Sequence, residues 1–351
     1  MVPSNHQFAK YLFSLVCVLT LVACSVAQVP TVPVTIPLPS PTSTKPASPS
    51  PTVTNIGLGE DALRIIDHMV ELSQFFNDAR ELPDEEKIKE FKARIIEPNL
   101  KYYSMLLMGI SDGSIRQYIK EIEPRIGTIS SGQERVLQSF HKVAMSFREK
   151  FPHFRGDFEI HLLPSLNLFN GMAVPIENET ILLLGIDELV DLSENNLRGY
   201  LTHELFHVYH YQSVPAVRIN TERFMQTQQM PPLWALLWTE GMASHAVRMV
   251  YPEIKEDEIL DWRPLVVQTK PLISDLAGEA RRVLRSDLPQ DVSGFFYFPR
   301  EGDREIPTGC GYYIGMVIAS MLAQDYSIDE LLRWDDEAVI NKIDSAVIEL
   351  Q

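Results

Sequence analysis

Apolar residues recur every three to four positions over most of the chain, a spacing that predicts amphipathic helices. The clearest N-terminal examples are Gly59–Leu82, Pro83–Pro98 and Ser130–Phe151. Shorter apolar segments bounded by proline, glycine and asparagine predict strands instead. They are Asp157–Ser165, Asn167–Ile176 and Glu179–Asp187. Helical spacing returns in the C-terminal part, so the sequence predicts an α+β fold that is mostly helical.

The first 23 residues have the pattern of a signal peptide. An apolar run from Tyr11 to Ala23 follows a single lysine and is too short to span a bilayer comfortably. The motif LVAC, which ends at Cys24, resembles the lipobox of bacterial lipoproteins. The resemblance implies a lipidated Cys24 and an exported, membrane-anchored lipoprotein, on the periplasmic or extracellular face. Ordinary secretion with cleavage near Ala27 is the alternative.

Residues 24–55 are predicted to form a tether. Proline, serine and threonine dominate it from Val29 onward, so it buries too little apolar surface to fold. Residues 56–156 are then an N-terminal helical region, and residues 157–351 contain the predicted catalytic region.

The charge balance excludes one class of partner. The chain has 47 acidic and 31 basic residues, a net charge of −16, and no basic cluster, so nucleic acid is not an expected partner. Membrane attachment is therefore expected through the lipid anchor only. Cys17 and Cys24 lie in or just after the predicted signal peptide, which leaves Cys310 as a small core residue without a disulfide partner.

The segment Leu201–Gln212 places three histidines and one glutamate in apolar surroundings. As a helix it would have N-cap Ser193 and end before Pro215. One side of that helix would be apolar and face the core. Its residues are Leu197, Leu201, Leu205 and Val208.

The opposite side of the same helix has the pattern HExxH, from His203 to His207. Histidines at i and i+4 share a face and can both bind one Zn²⁺. Glu204 follows a ligand directly and can take a proton from a zinc-bound water. A helix with incidental polar residues is the alternative.

A catalytic zinc needs a third protein ligand and one open position. His210 is on the same helix, about 10.5 Å along the axis from His203. That is too far for a metal–nitrogen bond of about 2 Å. Glu240 is the only acid in the apolar segment Pro231–Val250, where a lone carboxylate is costly unless it is paired or bound to metal. Glu240 is therefore the predicted third ligand, with an exposed glutamate as the alternative.

The HExxH motif followed by WTEGMA resembles the gluzincin branch of zinc metallopeptidases. It looks most like bacterial families of uncharacterised predicted zinc-dependent proteases, over roughly Phe158–Leu332. The resemblance implies zinc ligands His203, His207 and Glu240, with Glu204 as base. It also implies a zincin-like fold, in which a small twisted sheet precedes the HExxH helix and a helical lobe follows.

The chain departs from the thermolysin-like arrangement in two respects. Thirty-two residues separate His207 from Glu240, more than in the compact arrangement. Ser244 also stands where that arrangement has an acid that steadies a histidine. Small residues accompany it, at Gly241 and Ala243, and let another backbone come close.

In zincins an edge strand lines the cleft and pairs with the substrate backbone. The segment Asn178–Asp187 is the candidate edge strand. An interior position is the alternative, because the segment is apolar at nearly every residue.

Three further features of the sequence lead to predictions: a loop, a pair of tyrosines and a set of single histidines. The segment Asp287–Cys310 is predicted to be a loop that forms a lid or wall of the cleft. Tyr312 or Tyr313 could donate to an oxyanion, or either could be a packed core residue. Single histidines in the N-terminal region are predicted to be surface or packing residues. They are His68, His141 and His153.

The function predicted from the sequence is zinc-dependent hydrolysis of a peptide or protein substrate, with Glu204 as general base. The alternative is a non-hydrolytic zinc-binding or scaffold lipoprotein with a vestigial site. A zinc-storage protein would have histidine-rich tracts, and the sequence contains none.

Overall fold

The computed structural model describes residues 51–58, 61–103, 106, 110–176, 179–227, 229–259, 263–296 and 307–351. The predicted signal peptide, Cys24 and residues 24–50 of the predicted tether lie outside the described residues. Residues 297–306, in the middle of the predicted lid loop, also lie outside them.

The strands of the described residues form one mixed sheet. They are β1 Thr52–Leu58, β2 Asp61–Asp67, β3 Glu159–Leu163, β4 Gly171–Ile176 and β5 Glu179–Gly185. The order across the sheet is β1-β2-β3-β5-β4. The three inner strands are parallel, and each outer strand is antiparallel to its neighbour.

Helices make up most of the rest, which confirms the α+β, mostly helical fold class. The first six are α1 Met69–Asp78, α2 Asp84–Phe91, α3 Leu100–Tyr103, α4 Asp112–Ile122, α5 Ile126–Lys150 and α6 Ile186–Leu189. The next five are α7 Glu194–Ser213, α8 Pro215–Thr227, α9 Leu233–Val250, α10 Arg263–Thr269 and α11 Ile273–Arg282. The last four are α12 Pro289–Phe296, α13 Cys310–Asp325, α14 Ile328–Leu331 and α15 Asp336–Leu350.

The N-terminal region differs from the prediction. The segment predicted as one helix over Gly59–Leu82 forms strand β2 and then helix α1. Pairing of β2 with strands on both sides buries Leu63 and Ile65, and this long-range gain overrides the local helical spacing. Strand β1 begins at Thr52, so residues 52–55 of the predicted tether belong to the sheet.

The predicted edge strand is wrong. Strand β5, within the predicted segment Asn178–Asp187, pairs with β3 on one side and β4 on the other. Its residues after Glu179 are all buried, as expected for an interior strand. Strand β4 forms the edge on this side of the described sheet instead, and β1 forms the opposite edge.

The predicted HExxH helix is confirmed as α7. The Ser193 hydroxyl accepts a hydrogen bond from the Asn196 N–H at 3.2 Å, so it is the N-cap. The predicted apolar side is fully buried, where α7 packs against α5, α9, β4 and β5. The HExxH side of α7 is buried as well, with His203 3% and Glu204 5% exposed.

The small residues of α9 face two different neighbours. Gly241 lies against Gly315 of α13 so closely that a Cβ on Gly241 would be 2.4 Å from the Gly315 backbone. Ser244 instead faces α7. Close contact with both helices therefore holds the middle of α9, including Glu240, in a defined position.

Two C-terminal predictions are also refined. The predicted loop Asp287–Cys310 contains helix α12 in its first part. Cys310 is fully buried, as predicted for a small core residue.

Candidate metal centre

Three potential metal ligands meet where α7 and α9 pack together. The Nε2 atoms of His203 and His207 lie 3.0 Å apart. Glu240 Oε2 lies 3.1 Å from His203 Nε2 and 3.4 Å from His207 Nε2. Across the described ranges of the chain, no other group of three histidine, cysteine or acidic side chains brings its ligand atoms together in this way. The group could hold a metal ion, and it consists of the three ligands predicted from the sequence.

The orientation of the two imidazoles distinguishes a metal-binding arrangement from a hydrogen bond. Consider two imidazole rings whose nearest nitrogens lie 3.0 Å apart, as they do here. If a straight N–H···N bond joins them, their centroids are about 5.3 Å apart. If both rings point at one ion about 2 Å from each nitrogen, their centroids are about 4.7 Å apart. The centroids of His203 and His207 lie 4.7 Å apart. His68 and His161 have the same nitrogen separation, 3.0 Å, but their centroids lie 5.3 Å apart. The centroid separation of His203 and His207 is therefore the one expected for two rings that share an ion, and that of His68 and His161 is the one expected for a straight hydrogen bond.

The protonation of the ligands also suits a metal. Burial favours the neutral form of Glu240, but His207 and His203 hold the pKa of this carboxyl well below its usual value. Burial lowers the pKa of His203, which favours a neutral ring. Burial acts on His207 in the same sense, but Glu240 more than compensates and raises the pKa of His207. A bound cation would displace that proton, because metal ligands bind in their deprotonated forms.

Glu204 lies beside the ligands and is positioned by strand β4. Burial raises the pKa of Glu204 to about 7, and Glu240 adds to the rise, while His207 and a hydrogen bond from the Ala173 N–H oppose it. A carboxyl with a pKa near neutrality is suited to accept a proton and return it. Gly171 leaves the necessary space, because a Cβ at this position would lie 2.9 Å from Glu204 Cγ.

Ser244 connects His203 to the helix that carries Glu240. Its buried hydroxyl donates to the Glu240 carbonyl at 2.8 Å and lies 3.3 Å from His203 Nδ1. Because the hydroxyl proton is used on the carbonyl, Ser244 accepts from His203 Nδ1–H, which leaves Nε2 free of a proton. In this chain, therefore, a neutral hydroxyl orients His203, whereas an acid stands at the corresponding position of the thermolysin-like arrangement.

We expect Ser244→Ala to weaken zinc binding by about tenfold, the lower end of the effect of losing a partner that orients a ligand. The affinity can be measured by titration against a competing chelator. Ser320→Ala is the matched control, because the Ser320 hydroxyl lies 2.9 Å from Nδ1 of His245. His245 is not one of the three converging ligands. Equal zinc affinity in Ser244→Ala and wild type would show that this hydroxyl does not orient His203.

His210 is not part of the converging group. It is 1% exposed, and no hydrogen-bond partner for either ring nitrogen is present among the described residues. Burial lowers the pKa of His210 to about 3, so the ring is neutral. The structure therefore brings Glu240, and not His210, to the two histidines.

The two candidate tyrosines have different surroundings. The Tyr312 ring centroid lies 6.5 Å from that of His203 and 5.1 Å from that of Phe296, at the end of α12. The Tyr313 hydroxyl donates to Glu256 at 3.3 Å. Of these two tyrosines, Tyr312 is therefore the one whose ring lies beside the candidate ligand His203.

Sequence reasoning missed one feature near the site and one elsewhere in the sheet region. Tyr211 donates to the Ala173 carbonyl at 3.3 Å, so it contacts the same β4 residue as Glu204. Tyr211 follows Glu204 by seven residues, which places both on one face of a helix, so periodicity could have revealed the relation. His68 packs against Tyr102 and His161, as predicted for a packing residue, but its hydrogen bond to His161 had no local signal.

Comparisons with protein-family models, with curated proteins and with solved structures find no match to this chain. The resemblance to gluzincin peptidases therefore stays a prediction from the motifs. Among the described helices, none combines the length and apolar character needed to cross a membrane.

Proposed function

We propose that this chain is a zinc-dependent peptidase of gluzincin type. The observation that supports it is the convergence of His203, His207 and Glu240 beside a buried glutamate with a pKa of about 7. Two imidazoles and one carboxylate are a ligand set known from catalytic zinc sites, and three protein ligands leave one position open. The order of elements fits a zincin-like fold, since the sheet precedes α7 and a helical region follows.

Zinc bound to such a set supplies an acidified water and polarises the carbonyl of the scissile bond. Glu204 accepts the proton from the attacking water and returns it to the leaving amine. Tyr312 is the proposed donor to the oxygen that becomes negatively charged, because its ring lies beside His203. Edge strand β4 is the proposed docking strand for an extended substrate, in place of the segment predicted from the sequence.

The proposal is tested by the metal dependence of peptide cleavage. A proteome-derived peptide library is incubated with the zinc-loaded chain, with the chelator-treated chain, and with the treated chain after zinc is restored. Mass spectrometry should find new peptide termini in the first and third samples and none in the second. Stoichiometric zinc without cleavage would contradict the peptidase proposal and favour the non-hydrolytic alternative.

We also propose that Cys24 anchors the chain to the membrane, as the lipobox resemblance implies. We expect Cys24→Ser to prevent lipidation and to move the protein from the membrane fraction to the soluble fraction. The distribution can be measured by fractionation and immunoblotting in a bacterial host. Unchanged partitioning of the variant with membranes would reject the lipobox prediction.

A further inference from the structure

The backbone of edge strand β4 presents alternate residues to its open side. The Gly185 N–H donates to the Asn170 carbonyl at 2.8 Å, so this pair is hydrogen-bonded between the strands. In an antiparallel ladder, every second residue points its N–H and carbonyl away from the partner strand. The register therefore directs Gly171, Ala173 and Pro175 toward the open edge.

Ala173 is the central residue of these three, and its backbone N–H and carbonyl both already form hydrogen bonds. Its N–H donates to the Glu204 carboxylate, and its carbonyl accepts from the Tyr211 hydroxyl. Both side chains come from α7, which also carries His203 and His207, two of the three predicted metal ligands. Pro175 has no N–H, so the open edge of β4 has few hydrogen-bond donors. The acceptor on this edge that lies beside Glu204 is the Ala173 carbonyl.

The Tyr211 contact has the properties of a bond that can be exchanged. Its oxygen–oxygen distance of 3.3 Å is long for an O–H···O bond, whereas a peptide N–H forms a good bond at about 2.9 Å. Burial raises the pKa of Tyr211 far above its usual value, so the hydroxyl keeps its proton and stays a donor. The Thr221 hydroxyl lies near that of Tyr211 but donates its own proton to the Val217 carbonyl. Thr221 belongs to α8, a helix that packs beside β4 and has no fully buried residue.

We infer that the Tyr211 hydroxyl competes with the substrate for the Ala173 carbonyl and thereby helps to determine which peptides bind. The inference rests on the proposed peptidase function. An extended substrate that lies along β4 must offer a backbone N–H to this carbonyl, and that N–H replaces the tyrosine hydroxyl. Tyr211 therefore weakens the binding of substrates with an ordinary secondary amide at this position, whereas proline or N-alkylated residues have no N–H to offer and leave the hydroxyl in place.

The test measures the binding of two zinc-directed probes to the zinc-loaded full chain by calorimetry. Acetohydroxamate binds through the metal alone, whereas an N-acetylated dipeptide hydroxamate also presents backbone N–H groups. We expect Tyr211→Phe to bind the dipeptide probe about fivefold more tightly than wild type does, because one ordinary neutral hydrogen bond no longer has to be broken. The variant should bind acetohydroxamate as wild type does. N-methylation of the dipeptide backbone should abolish the gain.

Tyr209→Phe is the matched control, because the Tyr209 hydroxyl is hydrogen-bonded to Ser213 on its own helix. It should bind both probes as wild type does. Unchanged or weaker binding of the dipeptide probe to Tyr211→Phe, with normal zinc content, would overturn the inference. Failure of acetohydroxamate to bind any zinc-loaded form would reject the metal centre and the inference together. Tighter dipeptide binding without cleavage of any peptide would support the competition and reject only the peptidase activity.

Discussion

Glu240→Ala will lose most of its zinc, whereas His210→Ala will retain about one zinc per chain, as expected for a single tetrahedral site. Glu240 supplies the carboxylate within 3.4 Å of both histidine nitrogens. Its removal leaves two ligands, and we expect the zinc affinity to fall by more than about 100-fold, beyond the effect of losing an outer partner. The measurement is the metal content of the purified variants by mass spectrometry, after dialysis against a weak chelator.

Two further variants separate ligation from folding. Glu240→Gln keeps the volume of the side chain but removes its charge, so it should also bind zinc poorly. His210→Leu replaces a buried ring that has no hydrogen-bond partner among the described residues with an apolar side chain. This variant should therefore fold and retain zinc. Full zinc occupancy in Glu240→Ala, with zinc lost from both His210 variants, would overturn the ligand assignment.

The second large effect is expected at the proposed base. Glu204→Gln preserves the size of the side chain but cannot accept a proton, so the rate of peptide cleavage should fall by at least about 100-fold. Zinc content should stay at the wild-type level, because Glu204 is not one of the converging ligands. The rate is measured on a peptide that the wild-type chain cleaves, with equal zinc loading of both proteins.

The outcome for Glu204→Gln distinguishes two explanations of a lost activity. If zinc is lost together with activity, Glu204 supports the metal centre and its role as base is unproven. If zinc is retained and turnover is unchanged, the proposed mechanism is wrong. Retained zinc with a large loss of rate is the combination that the proposal requires.

The group of three converging side chains was largely predictable because its signals are local. The HExxH spacing places His203 and His207 on one face of a helix whatever the rest of the chain does. Glu240 was identified because a single carboxylate in an apolar segment needs a buried partner. Both inferences depend on a few neighbouring residues and on the cost of burying charge.

The sheet was less predictable because its order depends on contacts between distant segments. The apolar run of β5 fits either an edge or an interior strand until its neighbours β3 and β4 are known. Strand β2 was predicted as a helix because its short apolar run is compatible with both periods. The contacts of Ala173 with Glu204 and Tyr211 could not be predicted, because they require knowledge of which strand lies beside α7.

The most direct test of the metal centre is the zinc K-edge X-ray absorption spectrum of the zinc-loaded chain. The proposed ligands predict a first shell of nitrogen and oxygen atoms only, at about 2.0–2.1 Å, with the outer scattering of two imidazoles. A sulfur atom at about 2.3 Å, or the scattering of three imidazoles, would contradict the assignment of His203, His207 and Glu240.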